Sequence, residues 1–207
     1  MSFSQFKLDN FDVSRETFER LELLASLLKK WNPTINLVSK STLGDLWDRH
    51  IQDSVQVFTQ DKDGTGSWVD IGSGGGFPGL VVAILNADKK YPRTVTLIES
   101  DLRKCTFLRT VLRETGVKAT VLNDRIEKVE PQNARILSAR ALADLSSLLE
   151  FSEHHLDPEG TALFPKGINW KNELQEAQKT WSFECESIKS DTQEGAVILK
   201  IRDIHRV

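Results

Sequence analysis

From Ser14 onward the apolar residues Phe18, Leu21, Leu24, Ala25, Leu28 and Trp31 recur at steps of three and four, the period of a helix with one buried face. Ser14 has the side chain of a helix cap, and Asn32-Pro33 is expected to end the helix. Thr42, with Asp45 three residues on, reads as a capping pair that opens a second helix. The buried stripe of that helix would be Leu46, Trp47, His50, Ile51, Ser54, Val55 and Phe58. The polar stretch Asp61-Lys62-Asp63-Gly64-Thr65-Gly66 is a loop, so residues 1–62 form a helical N-terminal section packed on the core of the protein.

Past this loop, short runs rich in β-branched and other apolar residues alternate with stretches of helical period. The pattern predicts strands over 68–71, 94–99, 119–123, 136–139 and 160–164, and helices over 79–87, 101–115, 142–156 and 170–179. Segments 181–188 and 196–201 close the chain as a strand pair. Strand and helix in alternation imply an α/β fold, a doubly wound parallel sheet covered by helices on both faces, over residues 63–207.

At 207 residues and 39% hydrophobic, the chain can build one full-sized core with a small addition. Its net charge of -3 supplies no bulk field toward nucleic acid or membrane, so contact with a polyanion has to come from local basic patches. No run approaches the roughly 20 apolar residues that cross a bilayer, and Met1 to Asn10 lack a basic segment followed by an apolar one. A cytoplasmic protein is expected. Cys105 and Cys185 form no CxxC pattern and are expected as buried, inert thiols. His50, His154, His155 and His205 lack metal-ligand spacing and are expected as packing or surface residues, with no metal.

The most informative stretch is Val69-Asp70-Ile71-Gly72-Ser73-Gly74-Gly75-Gly76-Phe77-Pro78-Gly79, a strand that runs through glycines into a helix. Such a turn brings backbone close to a ligand. Gly74, Gly76 and Gly79 satisfy GxGxxG, which keeps a nicotinamide or flavin dinucleotide oxidoreductase open as a reading. Two features oppose it: the turn begins at Gly72, directly after the strand, and Asp70 places a carboxylate where a pyrophosphate would be repelled. A ligand carrying an ammonium and a sulfonium suits that carboxylate better, and S-adenosylmethionine carries both. Glu99, ending the next strand, is placed to accept hydrogen bonds from ribose hydroxyls. The loop Asn123-Asp124-Arg125-Ile126-Glu127 would face an adenine, with backbone at Ile126 and Glu127 reading its edge.

The acceptor side is expected at Ser138-Ala139-Arg140-Ala141, where the fourth strand of the sheet ends. No Asn/Asp-Pro-Pro-aromatic motif of exocyclic-amine methylation stands there, and neither cysteine is near enough to serve as the nucleophile of pyrimidine C5 methylation. Guanine N7 has an exposed lone pair and loses no proton on attack, so it asks for alignment and electrostatics instead of a general base. Arg140 and Lys166 are the candidates for that work. Arg49, Arg103, Lys104, Arg125 and Lys166 are candidate RNA-phosphate contacts, joined by Lys29, Lys30, Arg109 and Arg113. Arg49 and Asp53, four apart on one helix, are spaced to pair with each other.

Taken together, Trp31-Asn32, Ile35-Asn36-Leu37, Arg49-His50-Ile51 with Asp53-Ser54, Asp70 through Gly79, Ile98-Glu99-Ser100-Asp101, Arg103 through Arg109, Arg125-Ile126-Glu127 and Ser138 through Ala141 resemble one family. It is that of the bacterial small-subunit ribosomal RNA guanine-N7 methyltransferases, also called glucose-inhibited division protein B, and the resemblance runs from about Trp31 to Gly167. It implies a Rossmann-like class I S-adenosylmethionine methyltransferase sheet, mostly parallel with the last strand antiparallel, carrying an N-terminal helical extension. It further implies methyl transfer from S-adenosylmethionine to N7 of one guanine in 16S rRNA of the small ribosomal subunit, with S-adenosylhomocysteine as product; a monomer is expected. By motif match the cofactor contacts would be Gly72, Phe77, Ile126, Glu127 and Arg140, supported by Gly74 and Glu99, and the charge argument adds Asp70. Pro165 departs from the apolar residues that many relatives run straight into Lys-Gly, here Lys166-Gly167. A catalytically silent RNA-binding or assembly protein on the same fold is the other alternative.

Overall fold

A computed structural model describes residues 13–62, 64–90 and 92–207; the first twelve positions of the expected helical section lie outside these. Helix α1 (Arg15–Ile35) starts where the pattern places it, with the Ser14 hydroxyl accepting from the Thr17 amide at 3.0 Å. It does not stop at Asn32-Pro33. In the last turn Pro33 removes a single intrahelical bond, and the buried Asn32 side chain holds the exit by accepting from the Leu37 and Val38 amides at 2.8 and 2.9 Å. Asn36 then takes the left-handed conformation, φ 48°, and its amide returns to the Asn32 carbonyl.

The second predicted helix is three pieces: a 3₁₀ turn over Lys40–Thr42, a π-helical turn over Trp47–Gln52, and α2 (Asp53–Thr59). Thr42 does not cap it, because its hydroxyl is bonded to His50 Nε2 at 2.8 Å. The buried stripe is otherwise as expected, with Leu46, His50, Ile51, Ser54, Val55 and Phe58 buried and Trp47 partly so.

The remaining elements are β1 (Ser67–Ile71), α3 (Gly79–Ala87), β2 (Thr94–Ile98), α4 (Leu102–Thr115), β3 (Thr120–Leu122), a 3₁₀ turn at Ile126–Lys128, β4 (Ala134–Ser138) and α5 (Leu145–His155). They are followed by β5 (Leu156–Lys166), α6 (Trp170–Ala177), β6 (Trp181–Lys189) and β7 (Val197–Arg206). The sheet order is β3-β2-β1-β4-β5-β7-β6. Strands β1 to β5 pair in parallel, while β7 runs antiparallel to both β5 and β6. The order reverses between β1 and β4, and the carboxyl ends of those two strands therefore border the crevice where doubly wound sheets bind ligands.

Apolar residues pack on both faces of the sheet. On one, Leu21, Leu24 and Leu28 of α1 join residues of α2, α3 and α4; on the other, Leu145, Leu148 and Leu149 of α5 meet Ala177 and Trp181. Those three α1 leucines are fully buried, a burial of roughly 5–9 kcal/mol together at about 1.5–3 each. That is comparable with the whole net stability of a domain, about 5–15 kcal/mol, so α1 is part of the core and not an appendage. No helix among the described residues is long and apolar enough to cross a membrane.

Gly79 sets the closest approach of helix to sheet. A Cβ there would lie 2.3 Å from Leu97 Cδ2 and 2.6 Å from Asp70 Oδ2, both on buried side chains that have nowhere to go. Gly79→Ala is expected to lower stability by about 1–3 kcal/mol through overpacking, read as a reduced midpoint in chemical denaturation.

Candidate active site

Strand β1 delivers the chain into a turn where Gly72, Gly74 and Gly76 have φ of 63°, 53° and 87°, the left-handed region that disfavours a side chain. The turn is fastened from three sides. The Ser73 amide donates to the Ile98 carbonyl at 3.0 Å, the Ser73 hydroxyl to the Asp70 carbonyl at 2.9 Å, and the Gly76 amide to the Ser73 carbonyl at 2.7 Å. Glu99 completes the fastening, one carboxylate oxygen accepting from the Gly74 amide and the other from the Asp101 amide, both at 2.8 Å. A Cβ on Gly74 would meet nothing nearer than the Gly72 carbonyl at 3.7 Å, so the space beside it is open.

That space belongs to a cavity of about 920 Å³ along the carboxyl edge of the sheet. At one end it is lined by Gly72, Gly74, Ile98, Glu99, Ser100 and the loop from Asp124 to Glu127. The 3₁₀ turn in that loop is held from below, where His155 Nε2 donates to the Ile126 carbonyl at 2.9 Å, and Asn123 Nδ2 donates to the Glu99 and Ser100 carbonyls. At the other end stand Arg140, Phe77, His50, Asp53 and Gln193.

Arg140 is the centre of this second end. It follows β4 and precedes Ala141, a non-glycine residue at φ 52° and a locally strained backbone. The guanidinium donates to the Arg49 carbonyl at 3.0 Å, contacts His50 Nδ1 at 2.6 Å, stands 3.9 Å from Asp53 Oδ2 and lies over the Phe77 ring at 5.2 Å. Burial lowers its pKa to about 10, still leaving it charged at neutral pH. Burial, with the charges of Arg140 and Arg49, lowers the His50 pKa to about 3, so its imidazole is neutral. Burial raises the Asp53 carboxyl, which is also bonded to the Thr192 hydroxyl from the β6–β7 loop.

A family model described as GidB, rRNA small subunit methyltransferase G, matches residues 17–197. The chain belongs to this family. It is 59% identical over 196 residues to the ribosomal RNA small subunit methyltransferase G of Ruegeria sp. (strain TM1040), covering 95% of each chain. With the protein of that name from Ruegeria pomeroyi it shares 55% over 199 residues, 96% of this chain and 97% of the other. Among solved structures, a TehB-like SAM-dependent methyltransferase from Corynebacterium glutamicum superposes with a TM-score of 0.56 at 12% identity, covering 90% of this chain and 100% of that one. This last likeness establishes the class I methyltransferase fold.

In this GidB-family chain the expected cofactor residues Gly72, Gly74, Phe77, Glu99, Ile126, Glu127 and Arg140 all line one cavity, and Asp70 does not. Its carboxylate lies beneath the turn, buried, with Oδ1 accepting from the Ser138 hydroxyl at 2.7 Å and Oδ2 without a hydrogen-bond partner. The described geometry thus places Asp70 under the glycines and not on the cavity wall. Lys166 also lines the cavity, where its ammonium donates to the Ala143 carbonyl at 2.9 Å and to Glu173 at 2.7 Å and ties the segment after β4 to α6. Arg103 lies outside the cavity lining and pairs with Asp101 at 3.1 Å, whereas Arg49, Lys104 and Arg125 are on its wall. Arg109 is bonded to the Val121 carbonyl and Arg113 to Glu114.

Three further expectations are corrected. Cys185 is exposed on β6 and only Cys105 is buried, its thiol donating to the Glu99 carbonyl. His50 is neither surface nor mere packing, since it touches Arg140. Asp53 bonds the Thr192 hydroxyl and stands beside Arg140, while Arg49 acts on it through its charge and forms no ion pair with it among the described residues.

The Asp70 environment has a pH signature. Burial raises its carboxyl from the ordinary 3.8 to about 6, against the partial compensation of the Ser138 hydroxyl. The native state therefore holds this proton more tightly than the unfolded chain, a contribution present below pH 3.8 and lost as pH rises through 6. Relative to wild type, Asp70→Asn is expected to gain stability as pH rises from about 4 to about 7, as followed by paired thermal melts. An unchanging difference would refute the assignment.

Proposed function

We propose that this chain transfers the methyl group of S-adenosylmethionine to N7 of a specific guanine in 16S rRNA of the small ribosomal subunit, acting in the cytoplasm as a monomer. The observation that carries this reading is a single continuous cavity joining the glycine turn and Glu99 to Arg140 and the β6–β7 loop. Its volume of about 920 Å³ is near the upper end of small-molecule pockets, about 300–1,000 Å³, which leaves room for an adenosyl group and a base drawn out of its stack. Membership in a family named for small-subunit rRNA methylation supplies the substrate class.

The residues present fit the cofactor. Open space beside Gly74 admits a ligand close to the backbone, Glu99 keeps unused lone pairs for hydroxyl donors, and Ile126 and Glu127 border the same end. When bound, S-adenosylmethionine supplies a methyl group on a positively charged sulfur. The chain's own part is to align, to exclude water and to set the local field. At the acceptor end His50 is engaged with Arg140 and Thr42, Asp53 with Thr192, and Lys166 with Glu173. That suits an acceptor nitrogen which attacks through a free lone pair and gives up no proton. Arg140 is read as the orienting cation at the acceptor, and Arg49, Lys104 and Arg125 as wall residues toward the RNA phosphates.

Small subunits from cells without this protein, incubated with it and methyl-labelled cofactor, are expected to yield label in 7-methylguanine alone. Label in another base, or none, overturns the proposal. In the same preparation, S-adenosylhomocysteine at a hundred times its Kd is expected to stabilise wild type by about 2.7 kcal/mol. Gly74→Val, which fills the open space and imposes a branched side chain at φ 53°, is expected to lose that thermal shift.

A further inference from the structure

We propose that His50 is a positioning residue for Arg140: a neutral imidazole, fixed in one tautomer by Thr42, that sets the direction of the guanidinium at the acceptor end of the cavity. The inference rests on the reading of Arg140 as the orienting cation.

The argument starts from what each group can donate. A guanidinium has only N–H donors, so the 2.6 Å contact between Arg140 Nη2 and His50 Nδ1 requires Nδ1 to carry a lone pair. The proton of the neutral ring then sits on Nε2, which donates to the Thr42 hydroxyl at 2.8 Å. A protonated ring could not accept from Arg140 and would repel it, and burial beside Arg140 and Arg49 keeps the ring neutral. The geometry leaves little freedom: the imidazole lies 5.1 Å and the guanidinium carbon 5.2 Å from the same Phe77 ring. Two directed bonds, to His50 and to the Arg49 carbonyl, fix the plane of the guanidinium and leave its other N–H groups for a ligand. Three separate segments take part, since Thr42 closes the 3₁₀ turn, His50 sits in the π-helical turn and Arg140 follows β4.

Asparagine and glutamine separate positioning from bulk. Asparagine can place its amide oxygen near the site of Nδ1 and keep an acceptor for Arg140; glutamine reaches the site of Nε2 and keeps only the Thr42 side. Turnover on small subunits is expected to fall roughly ten- to hundred-fold in His50→Gln, the usual loss for one hydrogen bond to a charged group, and only a few-fold in His50→Asn. Binding of S-adenosylhomocysteine, read by thermal shift, is expected to weaken by less than turnover in either variant, Arg140 being among the expected cofactor contacts. Nitrogen NMR of the free protein gives a readout without activity. Wild type is expected to show Nδ1 unprotonated and Nε2 protonated at neutral pH, with an Arg140 guanidinium signal slowed in exchange that persists in His50→Asn and is lost in His50→Gln. Thr42→Val, at a half-buried position, serves if the His50 variants fail to fold, and is expected to broaden the imidazole signals and lower turnover several-fold.

Equal losses in the asparagine and glutamine variants, or a protonated Nδ1 in wild type, overturn the positioning role. Failure of wild type to methylate guanine would instead reject the proposed function, leaving the NMR result to decide the His50–Arg140 contact on its own.

Discussion

Glu99, at the end of β2, accepts from the amide of Gly74 in the turn after β1 and from the amide of Asp101 at the head of α4. A charged acceptor shared by two backbone donors binds more strongly than neutral pairs, and here it joins the two loops that form one end of the cavity. Asp101 in turn caps α4 by accepting from the Arg103 amide at 2.8 Å. Asn123 adds a third loop by donating to the Glu99 carbonyl. Beside the bonds that Ser73 and Gly76 make within the turn, a single buried side chain thus joins the loops around the cavity, and the residue expected from sequence to meet a ribose is also their clasp.

A second chain of polar contacts runs below the first. Trp68 Nε1 donates to the Ser138 hydroxyl at 2.9 Å, and that hydroxyl donates to Asp70, crossing from β1 to β4 and back. These are the strands on either side of the point where the sheet order reverses, and their side-chain contacts help to hold the crevice in shape. The partnerless Asp70 oxygen lies against Gly79, at the start of α3, which explains why that helix has to begin on a glycine.

Much of this was legible in the residues. Periodicity placed α3 at its observed limits and most other elements within a few residues, and the glycine turn, Glu99 and Arg140 were identified as neighbours of one edge. What failed did so for identifiable reasons. Pro33 suggested a helix end, but Asn32 could carry the exit through its side chain, a contact that composition does not reveal. The charge on Asp70 suggested a ligand contact, but the side chain points under the turn toward Ser138, and direction at a strand end depends on where the glycines bend. Lys166 looked free until α6 supplied Glu173. His50 was hidden by helical periodicity, because a buried histidine on an apolar stripe looks the same whether it packs or holds an arginine.

Long-range closure also has a bearing on synthesis. Gln56 donates to the Lys189 carbonyl and accepts from the Asp191 amide, while Asp53 meets Thr192, so this wall of the cavity joins segments more than a hundred residues apart. A growing polypeptide acquires the glycine turn, Glu99 and Arg140 well before the β6–β7 hairpin can fold against α2. Until that hairpin leaves the exit tunnel the nascent product lacks one side of the cavity, and premature termination before residue 192 leaves it without that wall.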